Sequence, residues 1–202
     1  MYIRTSQNQN NMALTKKEKV LQTALKMMAD GGFHDTPMSE LAAKSGVAIG
    51  TIYHHFSDKQ ALSNAIAKQC LDNRNNAMNA AVANSGTQSE KFQAMWTATF
   101  NHFCASKFEF LFLEQCQNSP LFAKMIVGNK NAIPAEVQSY LKNGVNTGKL
   151  RNLDTALLFD CIMAGIGVAV RQQIGSKSKK LTAKQIEELM LMGWAAIKAK
   201  TK

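Results

Sequence analysis

Four side chains able to form hydrogen bonds lie within five residues of one another in the segment GTIYHHF. They are Thr51, Tyr53, His54 and His55, which carry a hydroxyl, a phenol and two imidazoles. Groups of this kind can bind base edges and phosphates through directed hydrogen bonds. The chemistry that this spacing favours is therefore recognition of a polar, anionic surface.

Two short helices must position these side chains. Residues 37–59, PMSELAAKSGVAIGTIYHHFSDK, predict a first helix that ends near Ser45. Gly46 can adopt the left-handed conformation that closes a tight turn, and a second helix then begins near Ala48. Because Ile52 faces inward with the residue one turn later, the polar side chains of this second helix face outward.

This helix pair has the dimensions of a helix-turn-helix, and it resembles the DNA-binding domain of the TetR-like (tetracycline-repressor-like) transcriptional regulators. The resemblance runs from Gly32 and Phe33 through LAAKSGV to GTIYHHF, followed by Lys59 and Leu62. This pattern is similar to the family signature GVSxGxxYxHFxxKxxL, and it covers residues 15–65. The resemblance implies an all-α fold with an N-terminal three-helix helix-turn-helix domain and a C-terminal helical domain for ligand binding and dimerisation.

Positions on the second helix separate sequence readers from backbone contacts. The side chains predicted to reach base edges are Ile49, Thr51 and His54. The side chains predicted to hold phosphates are Thr36, Ser39, Tyr53, His55 and Lys59. Packing at the helix junction is the alternative for Tyr53 and His55. Gly50 is interpreted as room for the close approach of a backbone or of DNA.

Composition and helix signals divide the chain into three parts. Residues 1–13 are predicted to form a disordered arm, residues 14–69 the helix-turn-helix DNA-binding domain, and residues 70–202 a helical effector-binding and dimerisation domain. No strand-like alternation and no repeat occur. Capping boxes that begin helices are predicted at Thr15, Ser57, Thr87 and Thr182.

A stripe unusually rich in aromatic residues follows the break at residues 84–86. One interpretation is plain hydrophobic core, since amphipathic helices in any helical domain have such a stripe. The other is an apolar cavity for a small effector, which the resemblance also implies. Its predicted lining is Trp96, Phe100, His102, Phe103, Phe112, Gln115, Met125, Phe159 and Met163, with Gln115, His102 or Glu114 as polar groups.

The last two predicted helices carry more apolar surface than a small domain can bury by itself. Gly165 and Gly167 in LLFDCIMAGIGVAV would let another backbone approach closely. The segment Gly148–Arg151, followed by Asp154, resembles the GxLRxxD that precedes the dimer helices of many TetR-like regulators. The residues predicted at a homodimer interface are Ile162, Gly165, Val168, Ile186, Leu189, Met190 and Trp194.

Composition fits a globular protein of the cytoplasm. The chain has 202 residues, 46% of them hydrophobic, and a net charge of +10 that suits a polyanionic partner. No apolar run approaches the roughly 18 residues of a membrane span, and no secretory signal is recognisable. The cysteines are too widely spaced for a metal-binding pair and are predicted to be reduced structural thiols, so no metal or cofactor is expected: Cys70, Cys104, Cys116 and Cys161.

The predicted function is that of a dimeric, ligand-responsive transcriptional regulator, most often a repressor in this family. It would bind a palindromic DNA operator and be released by a small, apolar or aromatic effector. The alternatives are a small helical enzyme and a ligand-binding module without a role on DNA, for which His102 and Cys104 are the candidate residues. These two side chains point to different sides of one helix and no activated nucleophile is recognisable, so no enzymatic activity is predicted.

Overall fold

All regular secondary structure in the described residues is helical, which confirms the predicted all-α fold. The computed structural model describes residues 14–33, 35–84, 86–117, 133–175 and 180–200. The predicted arm at residues 1–13 lies outside them. In chain order the helices are α1 (Lys16–Gly31), α2 (Met38–Ser45), α3 (Ile49–His55), α4 (Lys59–Ala83), α5 (Gln88–Ala105), α6 (Lys107–Gln117), α7 (Ala135–Asn146), α8 (Thr155–Gly175) and α9 (Ala183–Ile197).

Capping boxes begin three of these helices, as predicted. At α1 the Thr15 hydroxyl accepts a hydrogen bond from the Glu18 amide at 3.2 Å, and the Glu18 carboxylate accepts one from the Thr15 amide at 2.8 Å. The Glu18 carboxylate also accepts a hydrogen bond from the Thr15 hydroxyl at 2.8 Å, and this bond together with the one from the Thr15 amide lowers the pKa of the carboxyl. Equivalent boxes begin α5 and α9 at Thr87 with Glu90 and at Thr182 with Gln185.

The cap predicted for α4 differs in detail from the one observed. Helix α4 begins at Lys59, and the carboxylate of Asp58, not the hydroxyl of Ser57, accepts a hydrogen bond from the Ala61 amide at 2.7 Å. Helix α2 begins at Met38 and has no side-chain cap. The α4 cap residue therefore lies one position closer to the helix than the sequence pattern indicated.

The chain divides into two compact units between Ser63 and Asn64, inside α4. The boundary predicted between residues 69 and 70 also lies in this helix. In the first unit Met28 of α1, Leu41 of α2 and Ile52 of α3 are completely buried, so each of the three helices contributes to one small core.

Gly46 closes the turn between α2 and α3. Its φ of +66° lies in the left-handed region that glycine adopts without strain, and its amide donates to the Ala42 carbonyl. Val47 follows and is buried between the helices. Because Ile52 and Phe56 are also buried, the turn fixes which side of α3 faces the core and which side faces solvent.

The second unit is built around α5, which contacts α6, α7, α8 and α9. The ring centroids of Phe92 on α5 and Trp194 on α9 are 5.5 Å apart, and Trp96 stacks on Phe100 at 5.4 Å. Helix α4 contributes a buried stripe with a spacing of four residues to this unit. Its members are Ile66, Cys70, Arg74, Met78 and Val82.

The segment Gly148–Arg151, which precedes α8, is hydrogen-bonded to the end of α9. Gly148 has a φ of +67°, and Leu150 after it is buried. The Arg151 amide donates to the Ile197 carbonyl at 2.9 Å, and the Ala199 amide donates to the Lys149 carbonyl at 3.0 Å. The result is a short antiparallel bridge between Leu150 and Lys198, which connects the segment before α8 to the end of α9.

Helix α8 is long and apolar enough to cross a membrane by length and composition alone, although it contains no unbroken apolar run of that length. The sequence interpretation judged unbroken apolar runs, whereas the mean hydropathy of this helix tolerates single polar residues. The observation is weak evidence for a membrane span, because core helices of folded domains meet the same criterion.

Candidate nucleic-acid interface and effector cavity

The outer side of α3 presents a compact group of polar and apolar side chains. Ile49 is 44% exposed and Tyr53 is 47% exposed, and both imidazoles that follow, His54 and His55, are exposed as well. Thr51 is half-buried. The opposite side of the helix is anchored in the core, so these side chains share one accessible surface, which we call the α3 surface.

Thr36 has no access to this surface. It is completely buried, and its hydroxyl donates to the Gly32 carbonyl at 3.0 Å. A buried hydroxyl with this partner cannot reach a phosphate, which removes Thr36 from the predicted phosphate contacts. Ser39, by contrast, is exposed in the first turn of α2. An exposed hydroxyl near a helix N-terminus is well placed for an anion.

Lys59 lies at the first position of α4, with its ammonium 4.8 Å from the centroid of the Phe33 ring. Partial burial lowers the pKa of this lysine, and the nearby Asp35 carboxylate acts in the opposite direction. This cation–π contact connects Phe33 with Lys59, two residues of the sequence pattern that resembles the family signature.

Gly50 is the second residue of α3, and a Cβ atom added there would have no heavy atom within 4 Å. Its φ is not in the left-handed region, so the backbone itself does not require glycine. No packing within the first unit therefore explains the missing side chain.

A cavity of about 610 Å³ lies within the second unit, between α4, α6 and α8. This volume falls within the roughly 300–1,000 Å³ typical of small-molecule sites. One part of its wall is apolar and consists of Leu71, Phe103, Phe110, Leu113, Phe159 and Met163. The remainder includes charged side chains from α4, α6 and α8.

The predicted lining agrees with this cavity only in part. Three predicted residues line it: Phe103, Phe159 and Met163. Five do not, namely Trp96, Phe100, His102, Phe112 and Gln115, and Met125 lies outside the described residues. Trp96, Phe100 and Phe112 are buried in the core instead. Glu114, predicted as a polar group, does line the cavity.

Arg74 is a buried charged residue of the cavity wall, and it is one of several lining residues that the sequence interpretation missed. It is only 6% exposed, and its guanidinium carbon lies 5.7 Å from the centroid of the Phe159 ring. The side-chain amide oxygen of Asn75, Oδ1, accepts hydrogen bonds from Arg74 Nε at 3.1 Å and Nη2 at 2.8 Å. Burial lowers the pKa of the guanidinium to about 10, so it remains protonated at neutral pH. The sequence feature that could have identified Arg74 is its position four residues from both Cys70 and Met78, in an otherwise apolar stripe.

Two ion pairs lie at the more exposed part of the cavity. Lys68 Nζ lies 2.6 Å from Asp72 Oδ2 within α4, and both side chains are exposed. Arg171 of α8 pairs with Glu114 of α6, and half of the arginine side chain is exposed. Each of these cations therefore already has a carboxylate partner.

His102 and Cys104 do not form a catalytic arrangement. His102 forms a hydrogen bond with Glu109 Oε2 at 2.9 Å, and Asn73 donates to Glu109 Oε1 at 2.9 Å. Burial raises the pKa of the Cys104 thiol, which is the opposite of what activates a nucleophile. The described residues contain no cluster of three or more His, Cys, Asp or Glu side chains that could hold a metal ion.

Apolar side chains remain exposed along one side of α8 and on α9. Val168 is 44% exposed and Met192 is 66% exposed, and Leu157 and Leu191 are exposed as well. Among the predicted interface residues, Gly165, Ile186, Leu189, Met190 and Trp194 are half-buried. Ile162 is buried in the core, so it is removed from the predicted interface.

Two family models match the chain. The model for bacterial regulatory proteins of the tetR family matches residues 20–66, which contain the helix-turn-helix. The model for the tetracyclin repressor-like C-terminal domain matches residues 88–198, more than half of the chain. The chain belongs to the TetR family. It is therefore a helix-turn-helix transcriptional regulator, and members of this family bind DNA and are not enzymes.

Relatives of this TetR-family chain agree with that assignment. YvdT of Bacillus subtilis, an uncharacterised helix-turn-helix-type transcriptional regulator, is 41% identical over 56 residues. That match covers 28% of this chain and 29% of the relative, so the likeness is limited to one segment.

Solved structures show the same fold over nearly the whole TetR-family chain. A putative regulator from Shewanella sp. PV-4 has a TM-score of 0.82 at 23% identity, with 93% of this chain and 100% of that chain covered. The regulator FadR from Bacillus subtilis, solved in complex with stearoyl-CoA, has a TM-score of 0.69 at 19% identity, with 88% and 95% covered. At these identities the likeness concerns the fold alone.

Proposed function

We propose that this protein is a dimeric transcriptional repressor that leaves its operator when a small molecule fills the cavity of the second unit. The observation that carries the proposal is the α3 surface, where exposed hydrogen-bonding side chains share one side of a helix whose other side is buried. Helix α3 would lie in the major groove of DNA. The cytoplasm is the proposed location.

Within the groove the side chains would have separate tasks. Thr51 and His54 would hydrogen-bond to base edges, and Ile49 would contact apolar groups such as a thymine methyl. Ser39, Tyr53, His55 and Lys59 would hold phosphates and so fix the position of the helix without reading sequence. The open space around Gly50 would let the DNA approach the backbone of α3 closely.

A second copy of the chain would cover the exposed apolar side chains of α8 and α9. Two-fold symmetry would then place two copies of α3 on one DNA duplex, and the operator would be palindromic with half-sites spaced by helical turns. The half-buried Gly165 lies in this stripe, where the absence of a side chain would allow the helices to approach.

The cavity would hold the effector, as its volume and apolar wall suggest. Helix α4 contributes Arg74 and Asn75 to the lining and also continues into the first unit. A ligand that displaced α4 would change the separation of the two α3 helices in the dimer. Coupling of this kind is typically worth about 1–3 kcal/mol. FadR with stearoyl-CoA provides a precedent for a small molecule in this fold.

The test is a titration of fluorescent DNA from immediately upstream of the gene, followed by anisotropy at two salt concentrations. Wild type should bind this DNA in the presence of excess random competitor. The Thr51→Ala/His54→Ala double variant should lose the preference and retain weak, salt-sensitive binding. Equal affinity of wild type for upstream and random DNA, with no change in the variant, would contradict the proposed base contacts.

A matched pair of tyrosine variants tests the phosphate contact. Tyr53→Phe removes one exposed hydroxyl and should weaken binding to all DNA sequences by about fivefold, as expected for one hydrogen bond of about 1 kcal/mol. Tyr140→Phe removes a hydroxyl that donates to the Gln88 carbonyl within the second unit, and it should leave DNA affinity unchanged. Equal effects of the two substitutions would argue against a phosphate contact at Tyr53.

A further inference from the structure

Arg74 is the one charged member of the buried stripe of α4, whose other members are Ile66, Cys70, Met78 and Val82. Charged side chains are rarely buried to this extent unless they have partners, because removing a charge from water is costly. This guanidinium is also part of the cavity wall. Its position is therefore costly for the fold unless hydrogen bonds, a ligand, or both compensate for the lost water.

The surroundings of Arg74 favour a negatively charged group with an apolar body. The Phe159 ring, whose centroid lies 5.7 Å from the guanidinium carbon, forms apolar cavity wall beside the charge. Phe110 and Met163 also belong to the apolar part of the wall. The exposed cations of the lining, Lys68 and Arg171, already pair with carboxylates. Arg74, unlike these two, is buried, and it lies against the Phe159 ring.

Asn75 marks where the negative group would bind. Its Oδ1 accepts from both Nε and Nη2 of Arg74, at 3.1 and 2.8 Å, and its side chain is itself part of the cavity wall. The Nε–Nη2 edge is one that a carboxylate engages with two parallel hydrogen bonds. A ligand carboxylate could take the place of this amide oxygen and add a full negative charge to the same geometry.

We propose that the effector is an amphipathic monoanion whose carboxylate binds Arg74 and displaces the Asn75 side chain, while its apolar body fills the space along Phe110, Phe159 and Met163. This inference rests on the proposed function, because it assigns a chemical class to the effector of that cavity. A neutral molecule of the same shape would lose the charge-assisted hydrogen bonds.

The experiment uses pairs of probes that differ only in charge. Octanoate, decanoate, dodecanoate and 2-naphthoate are titrated into the full-length protein beside their primary amides, below any micelle concentration, and binding is followed by calorimetry. For at least one pair the carboxylate should bind wild type at least about tenfold more tightly than the amide, since hydrogen bonds between two charged groups are stronger than those to a neutral one. Equal affinities in every pair, or no binding by any probe, would overturn the proposal.

An isosteric variant tests the assigned position without disturbing packing. Asn75→Asp places a carboxylate of the protein beside Arg74 and should reduce the preference for carboxylate over amide to near one. Asn76→Asp adds the same charge at the next residue, which is exposed and does not line the cavity, and should keep the preference. Retention of the preference in Asn75→Asp, or its equal loss in both variants, would overturn the assignment.

Arg74→Met removes the cation and should abolish the preference, whereas Arg74→Lys should keep part of it. Circular dichroism checks that both variants fold, and the Asn75 and Asn76 pair decides the matter if they do not. If Arg74→Met folds and still prefers carboxylates, the guanidinium is only structural and the proposal fails.

Operator DNA separates this inference from the proposed function. Release of DNA by amides and carboxylates alike would support a ligand-responsive regulator and overturn the assigned ligand class. Tight, Arg74-dependent carboxylate binding without any effect on DNA would support the ligand class and argue against the proposed regulation.

Discussion

Glycine has two different roles in the helix-turn-helix, at Gly46 and at Gly50. Gly46 needs its freedom of backbone conformation, since its φ is +66°. Gly50 does not, because its φ is not in the left-handed region and a Cβ atom there would have open space around it. Alanine at the two positions should therefore affect different properties of the protein.

Gly46→Ala should lower the free energy of unfolding of the first unit by about 1 kcal/mol, because an L-residue is strained in the left-handed region. Gly50→Ala should raise it by up to about 1 kcal/mol, because alanine favours the helix. Urea unfolding followed by circular dichroism measures both. Gly50→Ala should nevertheless weaken operator binding, which anisotropy measures, since the added methyl group lies on the proposed DNA side. Unchanged operator affinity in Gly50→Ala would mean that DNA does not approach α3 at this residue.

At the same scale, the cysteines differ in burial, and Cys70 and Cys116 are buried. Burial raises the pKa of the Cys70 thiol, and it raises that of Cys116 to about 12. Both groups are therefore protonated and unreactive near neutral pH. Cys161, by contrast, is exposed.

At a protein concentration low enough to separate the proposed dimer, iodoacetamide at pH 8 should alkylate Cys161 first and leave Cys70 and Cys116 unmodified until the protein unfolds, because the thiolate is the reacting form. The dimer would protect Cys161, which lies four residues from both Leu157 and Gly165 on the apolar side of α8. Mass spectrometry of peptides after timed quenching gives the three rates. Modification of Cys70 as fast as of Cys161 in the folded protein would show that α4 opens readily in solution.

At the scale of the element, the exposed side chains of α8 predict association of two chains. Val168→Glu places a carboxylate in the middle of the apolar stripe, where a partner would bury it. We expect the dissociation constant of the dimer to rise at least roughly a hundredfold, because an unpaired buried charge costs several kcal/mol. Light scattering after size exclusion, over a range of protein concentrations, measures the change.

Asn143→Glu on α7 is the matched control for this substitution. It adds the same charge at an exposed position outside the stripe and should leave the oligomeric state unchanged. If Val168→Glu and wild type dissociate at the same concentration, the apolar stripe is not the interface.

The sequence predicted local features of these elements better than distant ones. Capping boxes at Thr15, Thr87 and Thr182 depend on residues three apart, and the turn at Gly46 depends on one backbone conformation. Such features are visible in a short stretch of sequence. The α3 surface was predicted for the same reason, because Ile52 and Phe56 alone decide which side of this short helix is buried.

The cavity lining could not be predicted in the same way. Helical periodicity indicates which side of a helix is apolar, but it does not indicate which element lies opposite that side. Trp96 and Phe100 therefore looked like lining residues and are core, whereas Arg74 was overlooked on α4. Thr36 failed as a phosphate contact because its hydroxyl bonds to Gly32, a contact that depends on how the loop between α1 and α2 folds back.

At the scale of the whole molecule, the proposed regulation requires that α4 respond to the cavity. A small hydrogen-bonded group connects it to two other helices: Asn73 of α4 donates to Glu109 of α6, which also bonds to His102 of α5. Asn73 is adjacent in sequence to Arg74 of the cavity wall. Movement of α4 caused by a ligand would thus strain or break these bonds.

The proposed coupling can be measured as a closed cycle of four affinities. These are the affinity for operator with and without ligand, and the affinity for ligand with and without operator. By linkage, ligand must weaken operator binding by the same factor by which operator weakens ligand binding, typically about 5–150-fold. Anisotropy gives the first pair and calorimetry gives the second, with the tightest-binding carboxylate of the probe series as the ligand.

Asn73→Ala should reduce the coupling factor toward one while leaving each separate affinity within about threefold of wild type, because it removes a contact of α4 without altering the α3 surface or the charge of the cavity. Asn76→Ala, the same substitution at an exposed position of α4, should keep the full factor. A coupling factor that Asn73→Ala leaves intact would show that the bond to Glu109 does not transmit the response. Equal losses in both variants would instead attribute the response to the stability of α4 as a whole, because each substitution alters the same helix by the same side-chain change.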